Sequence, residues 1–141
     1  MPFFYFKIKY ASEKPAVPSV QFMKNTIVVI ASEFKGNEFL EEAQNAGWHV
    51  ILVTKKKLLD SSWVWTSIDE VKTVEDDAGV MDYIRTVTNI AGSRVLDRVV
   101  GLDEFDVLTA AMTREHLNLP GLSRSHALRF RDKLTMRNIA F

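Results

Sequence analysis

Hydrophobic residues in the first half of the chain follow the pattern of a strand, a helix and a second strand. The run TIVVIAS, from Thr26, is continuous and rich in β-branched residues, as in strands buried on both faces of a parallel sheet. Apolar residues then recur at helical spacing, namely Phe39, Leu40, Ala43 and Ala46. Gly47 supplies a helix stop and HVILVT a second buried strand, so residues 26–54 predict a right-handed βαβ unit.

The second half continues the alternation. VWTSI and EVKTVED are short strand candidates. In DAGVMDYIRTVTNIAG, apolar residues at helical spacing predict a helix that ends at Gly92; they are Val80, Ile84, Val87 and Ala91. LDRVVGLD is the next predicted strand. EFDVLTAAMTREHL is the next helix, in which Phe105, Leu108 and Met112 share a face.

The last part of the chain is predicted to be helical. Pro120 and Gly121 end the preceding helix and turn the chain. SRSHALRFRDKLTMRNIA then predicts a helical pair, with Ser123 as its N-cap. The alternation of strands and helices therefore indicates an α/β fold. We expect an open, doubly wound, mostly parallel sheet of four or five strands, flanked by helices and followed by this C-terminal helical pair.

Residues 1–24 differ from the rest of the chain. FKIKY alternates Phe6, Ile8 and Tyr10 with two lysines, a pattern typical of an edge strand. SEKPAVPS then interrupts the pattern with prolines. Two interpretations stay open for this N-terminal extension: an added edge strand, or a disordered segment.

Composition excludes several classes of function. The 141 residues are 47% hydrophobic and carry 18 basic and 18 acidic side chains, which fits one globular domain with no overall field for nucleic acid or membrane. The absence of cysteine excludes disulfides, thiolate metal sites and cysteine nucleophiles, and it fits a reducing compartment. No signal peptide or membrane span is evident. We therefore expect a cytoplasmic protein that binds neither nucleic acid nor membrane.

Ligands of doubly wound sheets bind beyond the carboxyl ends of the strands, which points to the loops SEFKGN, TKKK and LDEFD. SEFKGN contains a single glycine, Gly36, and so lacks the spacing of a dinucleotide-binding loop. Its residues either start a helix or offer helix amides to an anion. The lysines at 55–57 are either a solvated charge run or a phosphate contact. Asp103, Glu104 and Asp106 are either accessible to a ligand or, for Asp103 and Glu104, helix caps.

Other chemistry finds little support. His49, His116 and His126 are scattered and do not pair at metal-ligand spacing, and no G-x-S-x-G motif is present. We predict no catalytic residue and no metal ligand in this chain. The final stretch is rich in cations that either attract phosphate or are solvated; they are Arg124, Arg129, Arg131, Lys133 and Arg137.

The segment RVVGLDEFDVLTAAMTREHLNLPGLSRSHALRFRDKLTMRNIA resembles a junction in ATP-grasp ligases. There, an α/β pre-ATP-grasp domain meets the ATP-grasp module, and the likeness is strongest to carboxylate–amine ligases. The resemblance implies a Rossmann-like fold, ATP and Mg²⁺ as cofactors, and an acyl phosphate that an amine attacks. It also implies that Lys133 reaches an ATP phosphate, that Asp132 orients that region, and that Glu104 serves substrate positioning or domain contact.

The resemblance divides the chain into three parts. Residues 1–24 are the extension, residues 25–121 the pre-ATP-grasp domain, and residues 122–141 the start of a truncated ATP-grasp module. The chain is then expected to be an N-terminal fragment that is inactive alone. A homodimer or disorder of the tail are two ways to deal with the apolar residues of its last helical pair. The alternative is a stand-alone Rossmann-like module that binds a nucleotide or anion without catalysis.

Overall fold

The computed structural model describes residues 24–129. Strands and helices alternate along this range in the order β1 (Thr26–Ala31), α1 (Asn37–Asn45), β2 (His49–Lys55), β3 (Glu70–Val74), α2 (Val80–Ala91), β4 (Arg98–Gly101) and α3 (Glu104–Leu117). Single 3₁₀ turns lie between β2 and β3, and residues 124–129 are again helical. The predicted N-terminal strand, most of the predicted final helical pair and Lys133 lie outside the described residues.

The four strands form one sheet in the order β3-β2-β1-β4, and every neighbouring pair is parallel. Thr26 of β1 lies opposite His49 of β2, and Ile27 lies opposite Arg98 of β4. All residues of β1 are buried, as its continuous apolar run predicts for a strand in the middle of a parallel sheet. The predicted parallel α/β sheet is therefore confirmed, with four strands in the described part of the chain.

Helices cover both faces of the sheet, which confirms the doubly wound arrangement. On one face α1 packs against side chains of β1 and β2, with Leu40 and Ala43 as its buried residues. On the other face α2 and α3 pack against the alternate side chains of the same strands. Each face has its own apolar cluster, so the strands contribute to two cores.

Helix α2 buries the face that its periodicity predicts, shifted by one residue. Ile84 and Val87 are buried as expected, whereas Tyr83 and Ile90 complete the face instead of Val80 and Ala91. This shift keeps the spacing of three or four residues, so the helix itself is confirmed.

Helix α3 does not bury its large apolar residues. Phe105 is 37% exposed, and the residues that face the core are small or polar: Asp106, Thr109, Ala110, Ala111, Thr113 and Arg114. The cause is the close approach of α3 to β4. A Cβ atom on Gly101 would lie 2.1 Å from the backbone oxygen of Asp106, so the helix backbone almost touches the strand. At this contact there is no room for a large side chain, and Phe105, Leu108 and Met112 are exposed or only partly buried.

The strand predicted at VWTSI is absent, because Trp65–Ser67 is a 3₁₀ turn. Its neighbours are held by side chains instead of by a strand partner. The indole nitrogen of Trp63 donates to the Leu58 carbonyl at 2.9 Å, and the Val64 amide donates to Asn37 Oδ1 at 3.1 Å. These bonds fold the segment back over the start of α1.

Where the strands begin, at the amino edge of the sheet, charged groups are held by close partners. Glu70 bonds to His49 Nε2 at 2.6 Å, and Arg94 Nη2 donates to Glu70 Oε1 at 3.0 Å. Burial alone raises the pKa of Glu70, but the hydrogen bonds from His49 and Arg94 outweigh burial and lower it. Asp69 and Asp97 accept the amides of Val50 and Thr26 at 2.8 and 2.7 Å. These bonds tie the first residues of β2 and β1 in place.

Candidate functional site

The carboxyl ends of β1, β2 and β4 lie side by side, because these strands are parallel neighbours. The loops that follow them are SEFKGN, TKKK and LDEFD, and the fold therefore brings all three predicted loops to one edge of the sheet. We call this the carboxyl edge, defined by residues 32–36, 54–57 and 102–106. It is the position at which doubly wound sheets bind their ligands.

Asp106 ties two of these loops together from inside the protein. The residue is fully buried in the first turn of α3, and its Oδ2 accepts the backbone amide of Ser32 at 2.8 Å. Its Oδ1 is buried without a hydrogen-bond partner in the described part of the chain. Burial raises the pKa of Asp106, and the Ser32 amide offsets this only in part. The expectation of a ligand-accessible Asp106 is therefore wrong, since the side chain has no contact with solvent.

Tyr83 adds a second buried polar group. The side chain is fully buried, and within residues 24–129 its hydroxyl has no hydrogen-bond partner. Burial raises the pKa of Tyr83 to about 12, and the negative charge of Asp106 acts in the same direction. Incompletely satisfied buried groups cost stability, so the core beneath this edge is not optimised for stability alone.

On the surface, Lys35 and Asp103 join the same two loops. Lys35 Nζ donates to Asp103 Oδ1 at 2.7 Å, and the two side chains are 56% and 24% exposed. The hydrogen bond from Lys35 lowers the pKa of Asp103. Asp103 does occupy the N-cap position of α3, but its side chain makes no capping hydrogen bond. The cap interpretation of the Asp103 side chain is therefore not supported, and its carboxylate joins the loop after β4 to the loop after β1.

Gly36 has a specific steric role that sequence reasoning missed. Its φ is +97°, and a Cβ atom there would lie 2.1 Å from Leu102 Cδ1. Only glycine combines this left-handed conformation with such a close neighbour. The glycine therefore lets the loop after β1 pack against the loop after β4, and it starts α1 as its N-cap residue.

The lysine run after β2 faces acidic partners. Lys56 Nζ lies 2.5 Å from Glu75 Oε1, and the Lys57 amide donates to Asp76 Oδ1 at 2.8 Å. Both side chains of the Lys56–Glu75 pair are more than half exposed. For Lys56, this arrangement favours the solvated-charge interpretation over a phosphate contact.

Glu104 is the first residue of α3 and is exposed at the carboxyl edge. Its position is compatible with contact to a substrate or another domain, and that role stays a prediction. Lys133 lies outside the described residues. Between residues 24 and 129, no group of three His, Cys, Asp or Glu side chains could hold a metal ion. The edge loops do not fit ATP by themselves either, since they carry one glycine and Lys35 is paired with Asp103.

No helix among residues 24–129 has the length and apolar character needed to cross a membrane. This finding agrees with the sequence, in which no run of apolar residues reaches that length.

Comparison with known proteins gives two kinds of result. The sequence model of the ATP-grasp N-terminal domain family matches residues 40–121. No curated protein matches the chain. Among solved structures, an L-amino acid ligase from Bacillus licheniformis is similar with a TM-score of 0.61 and 19% identity, over 72% of this chain and 24% of the ligase. The chain thus spans about a quarter of that enzyme.

A second solved structure shares the fold. It is the glycosyl transferase family 9 protein from Veillonella parvula DSM 2008, with a TM-score of 0.52 and 20% identity, over 70% of this chain and 31% of that protein. At such identities these likenesses show the fold alone. The two structures do not decide between a ligase and a glycosyl transferase. The family match, which covers more than half of the chain, favours the ligase.

Proposed function

Because this chain belongs to the ATP-grasp N-terminal domain family, we propose that it is the N-terminal part of an ATP-dependent carboxylate–amine ligase. The family match over residues 40–121 is the observation that carries the proposal. The fold shared with an L-amino acid ligase supports it. In this proposal, residues 25–121 form the pre-ATP-grasp domain and residues 122–141 begin the ATP-grasp module.

The substrates of the complete enzyme would be a small carboxylic acid and an amine, with ATP and Mg²⁺ as cofactors, in the cytoplasm. When bound, ATP would supply the phosphoryl group that activates the acid for attack by the amine, and Lys133 would hold one of its phosphates. Phosphoryl transfer of this kind depends mainly on positioning and on electrostatic stabilisation of phosphate charge.

Two residues of this chain have proposed roles. Lys133 would contact an ATP phosphate, since a compact ammonium group suits a phosphoryl oxygen. Glu104 would contact the substrate or the neighbouring domain, because it is exposed at the carboxyl edge. Asp106 and the Lys35–Asp103 pair would hold that edge in shape rather than touch the reacting atoms.

The chain by itself is proposed to be inactive and to bind Mg-ATP weakly. The described residues supply neither a metal cluster nor a glycine-rich phosphate loop. Calorimetric titration of the 141-residue chain with Mg-ATP separates this proposal from the stand-alone binding module. Tight, saturable binding would favour the module.

A direct test uses the product of the complete reading frame, extended downstream of codon 141. Hydroxylamine converts an acyl phosphate to a hydroxamate, so ATP-dependent hydroxamate formation is measured across a panel of carboxylic acids. We expect formation with some acids and a loss of roughly a hundredfold in Lys133→Met. Lys72→Met, which changes an exposed lysine on β3, serves as the matched control. Hydroxamate formation that is equal in both variants would reject the role of Lys133, and a stop codon after residue 141 would reject the ligase.

A further inference from the structure

The end of α3 is the point at which the chain leaves the α/β domain. Asn118 adopts a left-handed conformation with φ of 57°, and the Leu119 amide donates to the Arg114 carbonyl at 2.8 Å. These features end the helix in the usual way for a left-handed cap. Pro120 and Gly121 then turn the chain, and residues 124–129 are helical.

Arg114 reaches from α3 to both sides of this turn. It is buried, with 7% of its surface exposed, and its Nη1 donates to the Val99 carbonyl at 2.7 Å. Its Nη2 donates to the Leu122 carbonyl, also at 2.7 Å. Val99 belongs to β4 and is paired with Val28 of the central strand. One guanidinium group therefore connects β4, an edge strand of the described sheet, to the first residue after the turn.

A buried arginine without a carboxylate partner is costly, which suggests that its position matters. Burial lowers the pKa of Arg114, and its Nε is buried without a hydrogen-bond partner among the described residues. The two carbonyls and the negative end of the α3 dipole offset part of that cost. An aliphatic side chain would fill the same space without a buried charge, but it would not bind the Leu122 carbonyl.

The turn is shaped around this side chain. Gly121 has φ of +140°, and a Cβ atom there would lie 2.6 Å from Arg114 Nε. A second contact lies beyond the turn, where the Arg124 amide donates to Glu115 Oε1 at 2.7 Å. Neighbouring residues of α3 thus hold the chain just after Gly121 and again at the start of the following helix.

We propose that Arg114, together with Gly121, is a positioning device that sets the direction in which the chain leaves the α/β domain. The backbone after residue 121 is then oriented by the domain itself, through the Leu122 carbonyl. The consequence for catalysis rests on the proposed function: if Lys133 contacts ATP, Arg114 helps to determine where that lysine lies relative to the carboxyl edge. The device itself depends only on contacts within the described residues.

Distance measurements on the 141-residue chain test this proposal without any ligand. The chain has no native cysteine, so Glu41→Cys and Arg129→Cys give two exposed sites for spin labels. We expect a single narrow distance distribution by pulsed electron paramagnetic resonance. Arg114→Leu should broaden it about twofold, because the helix after the turn loses its anchor. Arg114→Lys, which can still donate to one carbonyl, should broaden the distribution less than Arg114→Leu does.

The matched control is Arg85→Leu, which removes an exposed arginine that pairs with Asp82 one turn away. It should leave the distribution unchanged. If Arg114→Leu fails to fold by circular dichroism, Gly121→Ala becomes the deciding variant, with Gly79→Ala as its control. Gly121→Ala must shift or broaden the distribution, since the new methyl group displaces Arg114.

The proposal is overturned if a folded Arg114→Leu protein, or Gly121→Ala in its place, keeps the narrow distribution of the parent chain. This outcome would leave the ligase proposal intact, because no nucleotide or turnover enters the measurement. Conversely, absence of ligase activity in the complete product would not alter the distances.

Discussion

The amino edge and the carboxyl edge of the sheet differ in how their polar and charged side chains are hydrogen-bonded. At the amino edge, Glu70 is bound by His49 and Arg94, and Asp97 accepts the Thr26 amide that begins β1. At the carboxyl edge, Asp106 is buried with one oxygen unpaired, and Glu104 is exposed. The charged groups named at the amino edge have close partners, whereas the carboxyl edge keeps a buried carboxylate oxygen that stability alone does not require. Such local departures are typical of the functional side of a fold.

The largest expected loss of stability comes from a substitution next to the carboxyl edge. Gly101→Ala should destabilise the protein by about 3 kcal/mol, because its Cβ would collide with backbone atoms of Asp106 rather than with a flexible side chain. Gly79→Ala, where nothing lies within 4 Å, should change the free energy of unfolding by less than about 1 kcal/mol. Urea denaturation measures both, and equal effects would mean that α3 does not pack so closely on β4.

At the amino edge, Glu70→Gln should cost about 2 kcal/mol, since Arg94 and His49 lose a charged hydrogen-bond partner. The folded pKa of Glu70 is below its ordinary value of 4.5. Its stabilisation is therefore present above pH 4.5 and is lost as the pH falls through the folded pKa. Glu75→Gln, in an exposed pair, is the control, and a pH-independent cost of Glu70→Gln would contradict the assignment.

Asp106→Asn should not destabilise the protein, and the pH dependence of the Asp106 contribution should be opposite to that of Glu70. The folded pKa of Asp106 is above its ordinary value of 3.8, so the protonated form is favoured by folding. That contribution is present below pH 3.8 and is lost as the pH rises through the folded pKa. An amide that still accepts the Ser32 amide should therefore be neutral or stabilising by about 1 kcal/mol at pH 7. If Asp106→Asn destabilises as much as Glu70→Gln, the proposed difference between the edges is wrong.

The smallest effect is expected for the surface pair at the carboxyl edge. Asp103→Asn should leave the midpoint of urea unfolding within experimental error, because exposed ion pairs stabilise little. The same substitution should make the loop after β1 exchange its amide hydrogens faster, because Lys35 loses its partner. A large drop in stability would show that the pair is structural rather than a loop contact.

The sequence predicted the elements whose patterns are local. The continuous run from Thr26 identified a buried parallel strand, and the three loops chosen by the rule that ligands bind beyond strand ends do lie at one edge of the sheet. Periodicity also predicted α2, whose buried residues are Tyr83, Ile84, Val87 and Ile90, although Met81 is exposed. These features depend on short stretches of chain.

Features that depend on three-dimensional contacts were missed. The face of α3 was misjudged because the helix backbone lies against Gly101, a contact that apolar periodicity does not indicate. Asp106 and Arg114 are buried with hydrogen bonds to Ser32, Val99 and Leu122 that no local pattern predicts. Positive φ at Gly36 depends on Leu102, more than sixty residues away. A weak signal was present in EFDVLTAAMTREHL, where alanine and threonine alternate with the large apolar residues.

The most direct test of the account compares the two edges in the product of the complete reading frame. Phosphate release is measured with Mg-ATP, an acid and an amine, well below the unfolding temperature of each variant. We predict that Glu104→Gln lowers kcat/KM roughly tenfold or more without loss of stability, whereas Glu70→Gln lowers stability and leaves kcat/KM unchanged. Turnover that is insensitive to Glu104 but sensitive to Glu70 would contradict the functional assignment of the carboxyl edge.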